Sequence, residues 1–86
     1  MADNKHIISD DEYFKRLGQR IEKWRIDADF TSAESFAIEN QINRSQYLKY
    51  EKGKNMELLT IRKIAAAHNK KVEELLKGLE DTNFKP

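Results

Sequence analysis

Cysteine is missing from this chain altogether, which excludes two ways of holding a small protein together: a disulfide framework and a cysteine-based zinc site. The absence fits a reducing compartment. Histidine is scarce. His6 and His68 stand far apart with no ligand spacing between them, so neither a metal site nor a histidine-based catalytic pair is expected. Proline occurs once and glycine three times. Little therefore interrupts regular structure, and no glycine-rich phosphate loop is present. No apolar run approaches the length of a membrane span. The opening MADNKHIISDDE lacks the apolar stretch of a secretory leader. A cytoplasmic location, no membrane and no cofactor are the expectations. Catalysis needs a positioned nucleophile or acid–base pair in a cleft. None is visible, so the chain is not expected to be an enzyme or to carry a small-molecule ligand.

Net charge is nearly absent as well, at +1. What is present is a sorting of charge along the chain. Lys15 to Arg25 holds five bases and one acid, Ile26 to Gln41 four acids and no base. Asn43 to Asn55 holds four bases, Arg44, Lys49, Lys52 and Lys54, against the single acid Glu51. Local basic surface, and not the total, is what meets phosphate. Taken alone, the pattern suits ordinary solvated helix faces equally well.

At 86 residues the chain is one domain. A domain of this size buries about 60–65% of the surface its unfolded chain exposes, enough for one modest core. Apolar residues recur at intervals of three and four, the helical period, and no alternating run is long enough for a sheet. The expected architecture is all-α with five helices.

Helix 1 is expected over about Asp10 to Asp27. Ser9 and Glu12 form a capping box, and Asp10, Asp11 and Glu12 suit the positive end of the helix dipole. Phe14, Leu17, Ile21, Trp24 and Ala28 line its apolar face, with Lys15, Arg16, Arg20 and Lys23 mostly off it. Helix 2 starts after Phe30-Thr31-Ser32, capped by Thr31 or Ser32, and runs to about Glu39 with Phe36 and Ala37 inward. Helix 3 covers Arg44 to Glu51, with Asn43 as N-cap and Gly53 as the C-terminal stop. Helix 4 covers about Leu59 to His68, and helix 5 about Val72 to Leu79. Residues 1–8 and 81–86 are expected to be flexible tails around a domain spanning 9–80.

Two short helices joined by a tight turn therefore fill Ala33 to Lys52. Ala37 is small where they must pack, and Ile42 and Tyr47 are apolar. The outward positions of the second helix, Asn43, Arg44, Ser45, Gln46 and Lys49, are all polar and all able to donate hydrogen bonds.

The segment SAESFAIENQINRSQYLKYEKGK resembles the lambda-repressor-like, or XRE-type, helix-turn-helix family. The matching residues are Glu34, Ala37, Ile42, Arg44, Ser45, Tyr47, Tyr50, Glu51 and Gly53. LGQRIEKWR resembles that family's first helix, and LTIRKIAAAHNKKVEELLKG its fourth and fifth. About residues 14 to 79 are covered. Two departures stand out. Gln41 occupies the place of a turn glycine, so the bend falls to Asn40, which tolerates a left-handed backbone better, or the turn is reshaped. The link from Arg25 to Ala33 is one residue longer than in the phage repressors.

The resemblance implies sequence-specific binding of double-stranded DNA by a small transcriptional regulator. Helix 3 would enter the major groove with its N-terminal part against base edges. Arg44, Ser45 and Lys49 match the base-reading positions. Arg44 is suited to guanine, and Gln46 to adenine or a phosphate. Lys52 and Lys54 fall to the backbone, as does the N-terminus of helix 2 at Ser32. The resemblance also implies an ion pair between Arg25 and Glu51, and a DNA-induced or weak homodimer through helix 5 and the residues after it. Tyr47, Tyr50 and Trp24 are read as core. The alternative is a protein-interaction module on the same fold: an antitoxin subunit, a coactivator or an oligomerisation domain. Leu48 is the one apolar residue on the outward side of helix 3 that favours it.

Overall fold

The computed structural model describes residues 7–86. The N-terminal tail expected over residues 1–8 lies outside the described residues, except for Ile7 and Ile8. Among the described residues the chain forms five helices and no strand: α1 (Asp10–Asp27), α2 (Ala33–Glu39), α3 (Arg44–Glu51), α4 (Leu58–Ala67) and α5 (Val72–Leu76).

Local polar chemistry decides where the first three helices start. Ser9, Ser32 and Asn43 each stand just before a helix, and each side-chain oxygen accepts a bond from the backbone N–H three residues on. These are the donors that the first turn of a helix leaves unpaired. The capping box at Ser9 forms only in half, because the Glu12 carboxylate accepts from Arg16 Nε at 2.9 Å. A residue with positive φ follows each of the five helices, Gln41 after α2 and Gly78 after α5 among them. Asp29 follows α1 at φ 70°, Gly53 follows α3 at φ 103° and Asn69 follows α4 at φ 56°. After Gly53 the amide of Lys54 bonds back to the Lys49 carbonyl at 3.0 Å, the closure expected of a glycine stop.

The core draws on every helix. Leu17 and Ile21 of α1 meet Phe36 and Ala37 of α2 and Tyr47 of α3, with Ile42 from the turn. Met56, Ile61, Ile64 and Ala65 extend this cluster, and Leu75 and Leu79 complete it. His68 stacks on Phe36 with ring centroids 5.0 Å apart and meets Trp24 edge-on at 5.3 Å. Burial lowers the His68 pKa, and the Lys70 charge adds to the effect. Gly18 marks a close approach of α1 and α3. A Cβ there would stand 2.6 Å from the Glu51 carbonyl oxygen and 2.7 Å from that of Tyr50. Only a residue without a side chain lets the end of α3 lie on α1.

The structure corrects several expectations. Ala28 is exposed and caps α1 instead of lining its apolar face. Helix 4 begins and ends one residue earlier than expected, because Asn69 takes the left-handed conformation and stops it at Ala67. Helix 5 ends at Leu76, and Leu79 reaches the core from the turn that follows.

The largest difference lies on α1. Arg20, expected off the core face, is buried. Its guanidinium donates to the carbonyls of Leu75 at 3.0 Å and Lys77 at 2.8 Å, at the end of α5. It also holds the carbonyls of Pro86 at 2.9 Å and Lys85 at 3.2 Å. Arg16 does the same one turn earlier, bonding Leu79 O at 2.8 Å and Asp81 O at 2.9 Å. The Phe84 ring lies 5.1 Å from the Arg16 guanidinium carbon and 5.6 Å from that of Arg20, within cation–π range. Residues 81–86 are therefore docked on α1, where a flexible tail was expected. The physical reason is that two cations on α1 satisfy main-chain oxygens both at the end of α5 and along the residues that follow it.

Candidate nucleic-acid interface

α2 and α3 are joined through Asn40, Gln41, Ile42 and Asn43. Gln41, not Asn40, takes the left-handed conformation, at φ 58°. Its surroundings account for that choice. Asn40 turns its side-chain amide back to the Phe36 carbonyl at 2.9 Å. Ile42 N bonds to Ala37 O at 2.8 Å, which pulls the Ile42 side chain into the core. Lys63 reaches across from α4 to the Gln41 carbonyl at 2.7 Å. Non-glycine residues in this region cost roughly 1–2 kcal/mol, so the turn is held against strain by contacts on both sides.

α3 is fixed to α1 by Arg25. Its Nε donates to Glu51 Oε2 at 2.7 Å and a terminal nitrogen to Oε1 at 3.1 Å, the two-bond fork that suits a carboxylate. The third nitrogen donates to the Phe30 carbonyl at 2.7 Å. Both side chains are more than nine-tenths buried. The hydrogen bond to Glu51 raises the Arg25 pKa, so the guanidinium stays charged. The Tyr47 hydroxyl is buried without a well-formed hydrogen bond, and burial, then Glu51, raises its pKa. Tyr47 is wholly inside and Tyr50 is half-buried against the same core.

With its inner side held in this way, α3 turns the remaining residues outward. Asn43, Arg44, Ser45 and Lys49 are exposed, and Gln46 and Leu48 are half-buried. Lys52 and Lys54 are exposed just beyond the helix. None of the four cations is paired with a carboxylate among the ion pairs of the described residues. Two internal bonds were not foreseen from the sequence. Lys54 Nζ donates to Gln46 Oε1 at 2.8 Å, and Ser45 Oγ donates to Asn43 Oδ1 at 3.1 Å. Ser32 sits apart from this group. It is half-buried, and its hydroxyl oxygen is occupied by the Ser35 amide at 3.2 Å. On the neighbouring α2, Glu34 and Glu39 are exposed, so the two helices present opposite charge to solvent.

Lys63 and Gly18 are the residues of this region that sequence reasoning missed. A lysine bonded to a backbone carbonyl leaves no trace in a charge pattern. Gly18 lies mid-helix, where glycine is unfavourable, and that misfit is the signal that marks it. Among the described residues, no three carboxylate or imidazole side chains converge where a metal would sit. No helix among them is long and apolar enough to cross a membrane.

Compared with protein-family models, curated proteins and solved structures, the chain matches none.

Proposed function

We propose that this protein is a lambda-repressor-like (XRE-type) helix-turn-helix domain that binds double-stranded DNA in a sequence-specific way, as a small transcriptional regulator. α2 and α3 are the helix-turn-helix, and α3 is the helix that enters the major groove. One observation carries the reading. α3 is capped at both ends and tied to α1 by a buried ion pair, while its outward row of Asn43, Arg44, Ser45, Gln46 and Lys49 holds cations and hydrogen-bonding groups with no carboxylate among them. A rigid helix with that face suits a polyanion that also carries hydrogen-bonding base edges. Arg44 and Lys49 read bases. Lys52 grips the backbone, and Ser32, whose first duty is to cap α2, adds at most a positioning contact.

Symmetric sites and homodimers go together in this class of protein, and a homodimer on DNA is part of the proposal. Leu75 and Leu79 turn inward and residues 81–86 lie on α1, so helix 5 leaves little apolar surface for that contact.

A second reading has an observation of its own. Ile38, Leu58 and Leu59 are 62%, 64% and 72% exposed, which favours a protein-interaction module. Gel retardation on mixed-sequence double-stranded DNA at two salt concentrations separates the two readings. DNA binding predicts retardation that weakens steeply with salt as condensed counterions are released. No retardation at either salt, or retardation indifferent to salt, leaves the protein-interaction reading.

A further inference from the structure

Both amides on the outward face of α3 have their acceptor oxygen engaged within the protein. Asn43 Oδ1 accepts from Gln46 N at 2.9 Å and from the Ser45 hydroxyl at 3.1 Å. Gln46 Oε1 accepts from Lys54 Nζ at 2.8 Å. An ammonium has three donors and no acceptor, so the amide atom it meets must be the oxygen. The flip of the Gln46 amide is thereby fixed, with the NH₂ group left as its free end. Lys54 keeps two further donors for a phosphate.

The geometry points to Lys54 as a positioning residue that sets what Gln46 reads. With one of the two lone pairs of its oxygen held and a positive charge beside the other, Gln46 is a better donor than acceptor and favours a base edge that presents acceptors, guanine first. This rests on the DNA-binding reading above and sharpens it. A glutamine with both amide atoms free matches adenine with two bonds, donating to N7 and accepting from N6. Lys54 weakens the accepting half of that match: it fills one lone pair of the oxygen, and its charge repels the positive hydrogens of the adenine amino group at the other. Guanine presents O6 and N7, two acceptors, which suit an NH₂ group. The Asn43 amide is restricted further, because Ser45 and the Gln46 backbone fill both lone pairs of its oxygen. Ser45 has given its own proton to Asn43 and is left with lone pairs only. The face therefore carries donors at positions 43, 44, 46 and 49, with Ser45 as the acceptor among them. Lys54 also acts on sequence preference, where a lysine past the end of the helix would otherwise be assigned to the phosphate backbone alone.

The test is a selection of bound sequences from random double-stranded DNA with the full chain, Gln46→Ala and Lys54→Met. Gln46→Ala identifies the base pair that residue 46 reads, which should be guanine on the contacted strand. Lys54→Met frees the amide and should move that one position toward adenine by about tenfold, the lower part of the range for a two-bond contact. All sites should also weaken as a phosphate contact is lost. A Lys54→Met preference unchanged at that position overturns the inference while leaving DNA binding intact. So does a Gln46→Ala selection that matches the parent everywhere. Failure of the parent chain to bind DNA overturns the reading beneath it. The contact itself is checked without DNA. The Gln46 Cδ resonance of the free protein should shift in Lys54→Met, and an unmoved resonance sinks the inference however the selection turns out.

Discussion

α1 carries two buried arginines, and they hold the molecule together in different ways. Arg25 meets Glu51 in a two-bond fork that fixes the angle of α3, with the half-exposed Glu22 carboxylate further off at 4.0 Å. Arg20 meets no side-chain carboxylate among the ion pairs of the described residues; it gathers main-chain oxygens from α5 and from residues 85 and 86. The first contact joins two side chains and fails abruptly if either is lost. The second joins one side chain to several main-chain oxygens and loosens a segment when it is lost. A buried charge is thus matched by a side-chain carboxylate beside α3 and by main-chain oxygens beside α5.

Arg25→Met should have the largest effect. It leaves Glu51 buried and uncompensated, which typically costs about 3–5 kcal/mol. Urea unfolding measures it, and a loss below about 1 kcal/mol would mean that Glu51 is hydrated rather than paired. Arg20→Met should cost less, about 1–3 kcal/mol for carbonyls left unpaired. It should also speed amide exchange over residues 81–86 while leaving α3 unchanged. Equal acceleration in both places would erase the contrast between the two arginines. Gly18→Ala tests the same junction as Arg25 by steric means. In an open helix this change stabilises by roughly 0.5–1 kcal/mol. Here the added Cβ meets backbone at 2.6 Å, and a destabilisation of about 1–3 kcal/mol is expected instead. A gain in stability would show that α3 stands further from α1.

The smallest effect belongs to His68, which lies between the two regions against Trp24 and Phe36. Its folded pKa is lowered from the ordinary 6.5, so the unfolded chain binds the proton more readily. Stability is therefore complete above about pH 6.5 and declines as pH falls through the lowered folded value. Comparing melting temperatures of the parent and His68→Phe across pH 5 to 8 isolates this part of the slope. A parent and variant with parallel pH profiles would remove His68 from the account.

The legible parts of the fold were those written in local chemistry. Ser9, Ser32, Asn43 and Gly53 mark helix ends because capping involves residues three or four apart. α1 and α3 accordingly follow the sequence reading residue for residue. The Arg25–Glu51 contact came from a resemblance and not from any periodicity. Arg20 was illegible because its partners are main-chain oxygens, which every residue has. The same holds for Lys63 at the Gln41 carbonyl. Gln41 itself defeated a rule of propensity. Asparagine bends left more easily than glutamine, but the Asn40 side chain was already bound to Phe36 O and the burial of Ile42 fixed the position of the bend. At the candidate site the exposed positions were readable, whereas the Lys54–Gln46 and Ser45–Asn43 bonds were not, since they depend on rotamers that the fold selects.

The two closed ends of α3 have a thermodynamic consequence. An eight-residue helix does not persist alone in water, because its nucleation is unfavourable. Here Asn43 at one end, Gly53 at the other and the Arg25 fork along the side order it when the chain folds. A ligand meeting this face has no helix to form. Binding should therefore show the modest heat-capacity change of surfaces brought together, without the large additional change that accompanies folding upon association.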